Sequence, residues 1–153
     1  MVTESQQAQK PLYETDYYLW ILKTVQKLQN RELEAIDWEN LIDEVSDLSR
    51  REKRKLQSLL KRLFEHLLKL KYWENEAERN RRHWRGEIAN FRQQIKYQLE
   101  DSPSLNSYLK EIFNQSYRDA RVIASEKSGL SLGIFPEEPI APLEQILDEN
   151  WLP

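Results

Sequence analysis

Leu56, Leu59, Leu60, Leu63, Leu67 and Leu70 follow one another at intervals of three and four residues. That spacing puts all six on one face of an α-helix, where side chains three and four apart are neighbours. The same period returns in Leu41, Ile42, Val45 and Leu48, and again in Trp84, Ile88, Phe91, Ile95 and Leu99. It appears once more in Leu105, Leu109, Ile112, Phe113, Ala120, Ile123 and Ala124. No stretch alternates as a strand does, and only three glycines occur in 153 residues. A turn-rich all-β protein is excluded on those grounds. The expected fold class is all-α: a single helical bundle of four to five main helices, with an extended, proline-containing C-terminal strap.

Capping residues divide these runs. Thr15 or Asp16 can accept the free N–H groups of a first turn, ahead of the stripe Leu19, Trp20, Ile21, Leu22, Val25 and Leu28. Asn30 reads as a break, Arg31 to Ala35 as a short helical turn, and Asp37 as the next cap. Ser49 and Glu52 fit a capping box, which predicts separate helices over 38–48 and 50–72; one bent helix is the alternative. The polar stretch Glu74 to Arg82 is expected to hold a connection, and a helix to run over 78–100, with Gly86 a small local weakness. Ser102-Pro103 is a helix-start signature, and Gly129 can end that helix in the left-handed conformation. Beyond it, Pro136, Pro139 and Pro142 stiffen the chain. A short helix over Leu143 to Leu147 follows, and Trp151 is expected to dock back on the helices, since an indole is costly to leave in water. Residues 1–11 read as a disordered N-terminal segment and 12–153 as one domain, the chain being too short for two ordinary ones.

No apolar run approaches the roughly 18 residues a membrane helix needs, and residues 1–10 lack an apolar core of a secretory signal. A cytoplasmic protein with no membrane partner is expected. The net charge of −3 conceals a segregation. Residues 1–49 hold 4 basic and 10 acidic groups, residues 50–100 hold 15 and 7, and residues 101–153 hold 4 and 9. A basic middle thus lies between acidic ends. Either the segments neutralise each other within the fold, or the basic middle is presented to phosphate or an acidic partner.

With no cysteine there is no disulfide, thiolate metal site or cysteine nucleophile. No phosphate loop or dinucleotide fingerprint occurs either. His66 is the residue of most interest, set among leucines but flanked by Glu65 and Lys69. Asp16, Asp43 and Glu44 could join it in a polar cluster, as carboxylates and histidines do in helical bundles. The usual di-metal pattern fails, because Leu63 stands where a glutamate three residues before His66 is needed. The expectation is therefore a half-buried histidine bonded to a carboxylate, with no metal, no cofactor and no catalytic residue assigned. Asp43 and Glu44 point about 100° apart on a helix, so one site is not expected to take both. Arg50, Arg51, Arg54, Arg81, Arg82 and Arg85 are the candidate anion or nucleic-acid contacts. Trp84, interleaved among them, opens a core stripe and is expected to be buried. Tyr13, Tyr17, Tyr18 and Trp20 form an aromatic opening that reads as packing.

Certain pieces recur in order along the chain: Tyr13 to Asp16 with Trp20, Asp37 with Leu41 to Val45, Leu63 with His66 to Lys69, and Trp84 with Ile88. Pro103 to Leu105, Tyr117 with Ala120, Phe135-Pro136, Pro139 and Leu147 to Pro153 complete the set. In these the chain resembles a bacterial family of all-helical proteins, common in cyanobacteria, called domain-of-unknown-function family twenty-nine. The family often shows two adjacent glutamates where this chain has Asp43-Glu44, so the first carboxylate here is one methylene shorter. The resemblance implies a small helical bundle and no reaction. The expected function is a non-enzymatic module that binds a macromolecule, foremost a protein. The alternatives are nucleic-acid binding through residues 50–100 and a metal-dependent enzyme centred on His66 with Asp16 and Glu44. Self-association into a homodimer is compatible with the sequence.

Overall fold

Asp16 separates the first two helical elements of the chain. In this computed structural model, which describes residues 11–153, α1 is the single turn Leu12–Thr15 and α2 is Tyr17–Gln29. The expected disorder of the N-terminal segment lies outside the described residues, Pro11 excepted. Asp16 leaves helical geometry at φ −150°, and its carboxylate accepts the Leu19 N–H at 3.0 Å. Asn30 ends α2, and Arg31 takes the left-handed conformation at φ 59°. A 3₁₀ turn at Leu33–Ala35 follows, and the Asp37 carboxylate then accepts the Asn40 N–H at 3.3 Å.

From there a single helix, α3, runs over Trp38–Tyr72. The predicted division at Ser49 is corrected. The Ser49 hydroxyl donates to the Ser46 carbonyl at 2.8 Å instead of capping a new helix. Residues 50–55 are all Arg, Lys or Glu, strong helix formers, and neither glycine nor proline interrupts the segment. The predicted connection over Glu74 to Arg82 is also corrected, because α4 is Glu74–Asp101 and only Trp73 separates it from α3. That stretch is polar because it is a solvent-facing helix; Glu74 and Glu76 suit a positive helix N-terminus. The next helix, α5, is Leu105–Ser128, starting two residues beyond Pro103, with no side-chain cap from Ser104. Gly129 ends it at φ 71°, as expected. A 3₁₀ turn at Leu132–Ile134 and the single turn α6, Leu143–Ile146, complete the chain. The fold is all-α, with no strand among the described residues.

The chain divides into two compact units, one up to Arg50 and one over Arg51–Pro153, the boundary falling within α3. The second holds the whole main hydrophobic cluster, from Leu56 through Ile88 and Leu109 to Ile146. Its hairpin of α3 and α4 is registered by Gln98, whose amide donates to the Glu52 carbonyl at 2.6 Å, and by Trp73 stacked on Trp84. Phe64 packs against Phe113 and Tyr117 of α5. The strap is tied down by polar bonds from the helices. Tyr117 donates to the Pro136 carbonyl at 2.6 Å, Arg121 to the Phe135 and Leu132 carbonyls, and Arg92 to the Ile146 carbonyl. Trp151 and Leu152 pack on the cluster, half-buried, as the cost of a solvated indole requires.

The first unit is built differently. Among the described residues, those buried in it are Trp20, Thr24 and Ile36. Trp20 and Thr24 share the inward face of α2, and the Thr24 hydroxyl returns its hydrogen bond to the Trp20 carbonyl at 2.7 Å.

Candidate functional site

Glu44 organises the polar part of the first unit. The Tyr13 hydroxyl donates to one carboxylate oxygen and the Tyr17 hydroxyl to the other, each at 2.5 Å. The bond to Glu44 pushes the Tyr13 phenol up to about 12, so it stays protonated. Trp20 lies edge-on to Tyr13, with ring centroids 4.8 Å apart, and nearly parallel to Tyr17 at 6.1 Å. The aromatic opening of the sequence is thus one ring cluster around one carboxylate. Tyr18 stands outside it and is exposed. Asp16 is occupied in capping α2, and Asp43 is exposed on α3.

Next to this cluster in sequence, the apolar stripe of α3 faces outward. Trp38, Ile42, Val45 and Leu48 step by four, three and three residues, and all four are exposed. On α2, Tyr18, Leu22 and Val25 step by four and three and are exposed as well. The periodicity of Ile42, Val45 and Leu48 marks a face correctly, but among the described residues that face stays exposed. Trp38 is held in place by its indole N–H, which donates to the Leu33 carbonyl at 3.0 Å. Isolated exposed apolar residues are ordinary, whereas a continuous helical stripe of them marks an interaction surface.

His66 belongs to the second unit. Its Nδ1 lies 2.8 Å from the Arg62 carbonyl oxygen, so that nitrogen carries the proton and donates. Its ring meets Phe91 edge-on at 5.1 Å. The expected carboxylate partner is corrected: His66 bonds the backbone of its own helix. Burial, reinforced by the Lys69 charge, holds its pKa below the ordinary 6.5. Among the described residues, no group of three or more His, Asp or Glu is placed to hold a metal ion.

The polar residues that the leucine pattern conceals are Glu65 and Lys69. Both are buried, and the exposed Lys127 of α5 brings its ammonium to 2.5 Å from a Glu65 oxygen. The approach lacks hydrogen-bond geometry, so this is an ion pair without a directed bond. Lys69 lies over the Trp84 ring, 5.2 Å from its centroid, and burial lowers its pKa. A sequence signal for this cluster exists. Between Leu63 and Leu70 apolar residues occupy more than one helix face, so an intervening Glu65 and Lys69, four apart, must be buried too.

The candidate anion contacts Arg50, Arg51, Arg54, Arg81, Arg82 and Arg85 are all exposed. Arg50 pairs with Asp47. Among the described residues the one other ion pair is Lys127 with Glu65, so close pairing does not neutralise the basic middle. Trp84 is buried and stacked on Trp73, as the core stripe predicts, and is closed to a nucleobase.

The model of a family described as "Domain of unknown function DUF29" matches residues 12–152. No match to a curated protein or to a solved structure is found.

Proposed function

This chain belongs to the DUF29 family of unknown function, and we propose that it is a non-enzymatic protein-binding module. The observation that carries this reading is the outward apolar stripe Trp38, Ile42, Val45 and Leu48 on α3, with Tyr18, Leu22 and Val25 on α2. Such a stripe recognises an apolar helix face, read through anchors at i, i+3, i+4 and i+7. The surrounding charge names the partner further. Residues 1–49 carry 10 acidic groups against 4 basic ones, so the complementary partner carries basic residues beside its apolar face. The reading is tested by recovering cross-linked partners of the tagged full chain and of the double variant Ile42→Asp/Val45→Asp. The expected result is a specific adduct with a basic partner, lost in the variant while its urea unfolding midpoint is kept. Adducts retained by the variant would overturn the reading.

A second reading, nucleic-acid binding, is favoured by the exposed arginines of residues 50–85. It requires affinity that falls steeply with added salt. A flat salt dependence, or no binding at low salt, dismisses it. Bacterial and cytoplasmic origin are part of the proposal, in keeping with the absence of any helix long and apolar enough to cross a membrane among the described residues.

A further inference from the structure

Two clefts lie along α4 beside the end of the strap, and one arginine lines both. The larger, about 370 Å³, is walled by Ile95, Leu99 and Leu147, with Lys96 and Asn106 contributing polar groups. The smaller, about 200 Å³, shares Arg92 and Glu149 with it. Arg92 is only 4% exposed. Its Nε donates to the Ile146 carbonyl at 2.9 Å, while its Nη2 is buried with no hydrogen-bond partner. An unsatisfied buried guanidinium donor is expensive, because the guanidinium keeps its charge and so cannot shed the demand. Burial lowers the Arg92 pKa, and the Asp148 and Glu149 carboxylates oppose that shift. Arg92, a cation with one buried donor unbonded, thus lines a largely apolar cleft.

We propose that the larger cleft binds a small carboxylic acid with an apolar body. The carboxylate engages the Arg92 guanidinium, and the hydrocarbon lies against Ile95, Leu99 and Leu147. A planar carboxylate matches the guanidinium fork. Glu100 and Glu149 also line the cleft and make a dianion such as phosphate the poorer guest. The volume falls within the range of small-ligand pockets, and its apolar walls favour a hydrocarbon body. The exposed Glu149 carboxylate, at the rim of the same cleft, opposes an anionic guest.

The test is a titration of the full chain with octanoate at pH 7, followed by backbone amide NMR. The expected result is saturable binding, with shifts confined to residues 92–99 and 147–149. Octanol and acetate, each carrying half of the ligand's chemistry, bind at least about tenfold more weakly, the worth of one charge-assisted bond. Arg92→Gln abolishes binding. Because that variant also loses the tie to Ile146, two exposed positions carry the test independently of folding: Lys96→Glu weakens octanoate and Glu149→Gln tightens it. Octanol binding as well as octanoate, octyl phosphate binding more tightly, or an affinity indifferent to both exposed variants would each overturn the proposal. So would the absence of saturable octanoate binding.

Discussion

Along one continuous helix, Leu56, Leu60, Leu63 and Leu67 are 0% exposed, while Ile42, Val45 and Leu48 are each more than half exposed. Both sets repeat at helical spacing, and both are equally apolar. The difference is what meets them. In the second unit α4 and α5 supply Ile88, Phe91, Ile95, Leu109, Ile112 and Tyr117 to close the leucine face. In the first unit, among the described residues, Trp20, Thr24 and Ile36 are the whole buried set and the α3 stripe is left exposed. An apolar period therefore says which face of a helix is made for contact. Whether the contact lies within the chain or with another molecule depends on the elements available to cover it.

Truncating side chains on each face should separate the two units most clearly. Phe64→Ala, in the centre of the second unit, should cost about 3–5 kcal/mol in urea unfolding. The equivalent loss from Ile42 and Val45, changed together to serine, should stay within about 0.5 kcal/mol, as for exposed positions. A loss of several kcal/mol in the serine variant would mean that the first unit's stripe is a covered core after all.

Smaller effects sharpen the contrast in electrostatics. Lys127→Met leaves the Glu65 carboxylate buried without its cation, and should cost about 1–2 kcal/mol, discounted because Lys127 itself is exposed. Glu65→Gln in addition should recover part of that loss, and a double-mutant cycle measures the coupling. His66 gives a pH dependence. Its folded pKa lies below 6.5, so its contribution is complete above pH 6.5 and is lost as the pH falls through the folded value. Denaturant midpoints at pH 7.5 and 5 should separate, and His66→Gln should narrow that separation.

The smallest effect is spectroscopic and belongs to the first unit. The Tyr13 phenol is pushed up to about 12 because Glu44 accepts its hydrogen bond, and in Glu44→Gln that titration should move down toward 10. Tyr117, raised to about 12 by burial in the second unit, should not move. A Tyr13 titration unchanged in Glu44→Gln would show that the ring cluster does not turn on this carboxylate.

Much of the fold was legible because helical periodicity and caps are local. Asp16, Asn30, Asp37 and Gly129 all act where their side chains or backbone preferences place them. The division at Ser49 failed because a capping-box pattern can lie inside a continuous helix, its hydroxyl turned back to the Ser46 carbonyl; the connection at Glu74 failed on composition. A polar stretch rich in Arg, Lys and Glu looks like a break to a reading based on apolar residues, yet its propensity is to continue a helix. The site was less legible. Tyr13, Tyr17 and Glu44 meet across 31 and 27 residues of sequence, a pairing that no local pattern announces. Lys127 reaches Glu65 across a still longer interval, and Arg92 hides as one more charge in a basic run. Its place was nevertheless implied, since it lies four after Ile88 and three before Ile95, on the buried face of α4.

The most direct test of the docking surface is a photo-reactive phenylalanine analogue placed in the full chain. At Val45 it reports on the first unit's stripe; at Tyr97, equally exposed but in the second unit, it serves as the control. A discrete adduct with a basic partner protein is expected from Val45 and none from Tyr97. Equal labelling at the two positions, or no adduct from Val45, would contradict it.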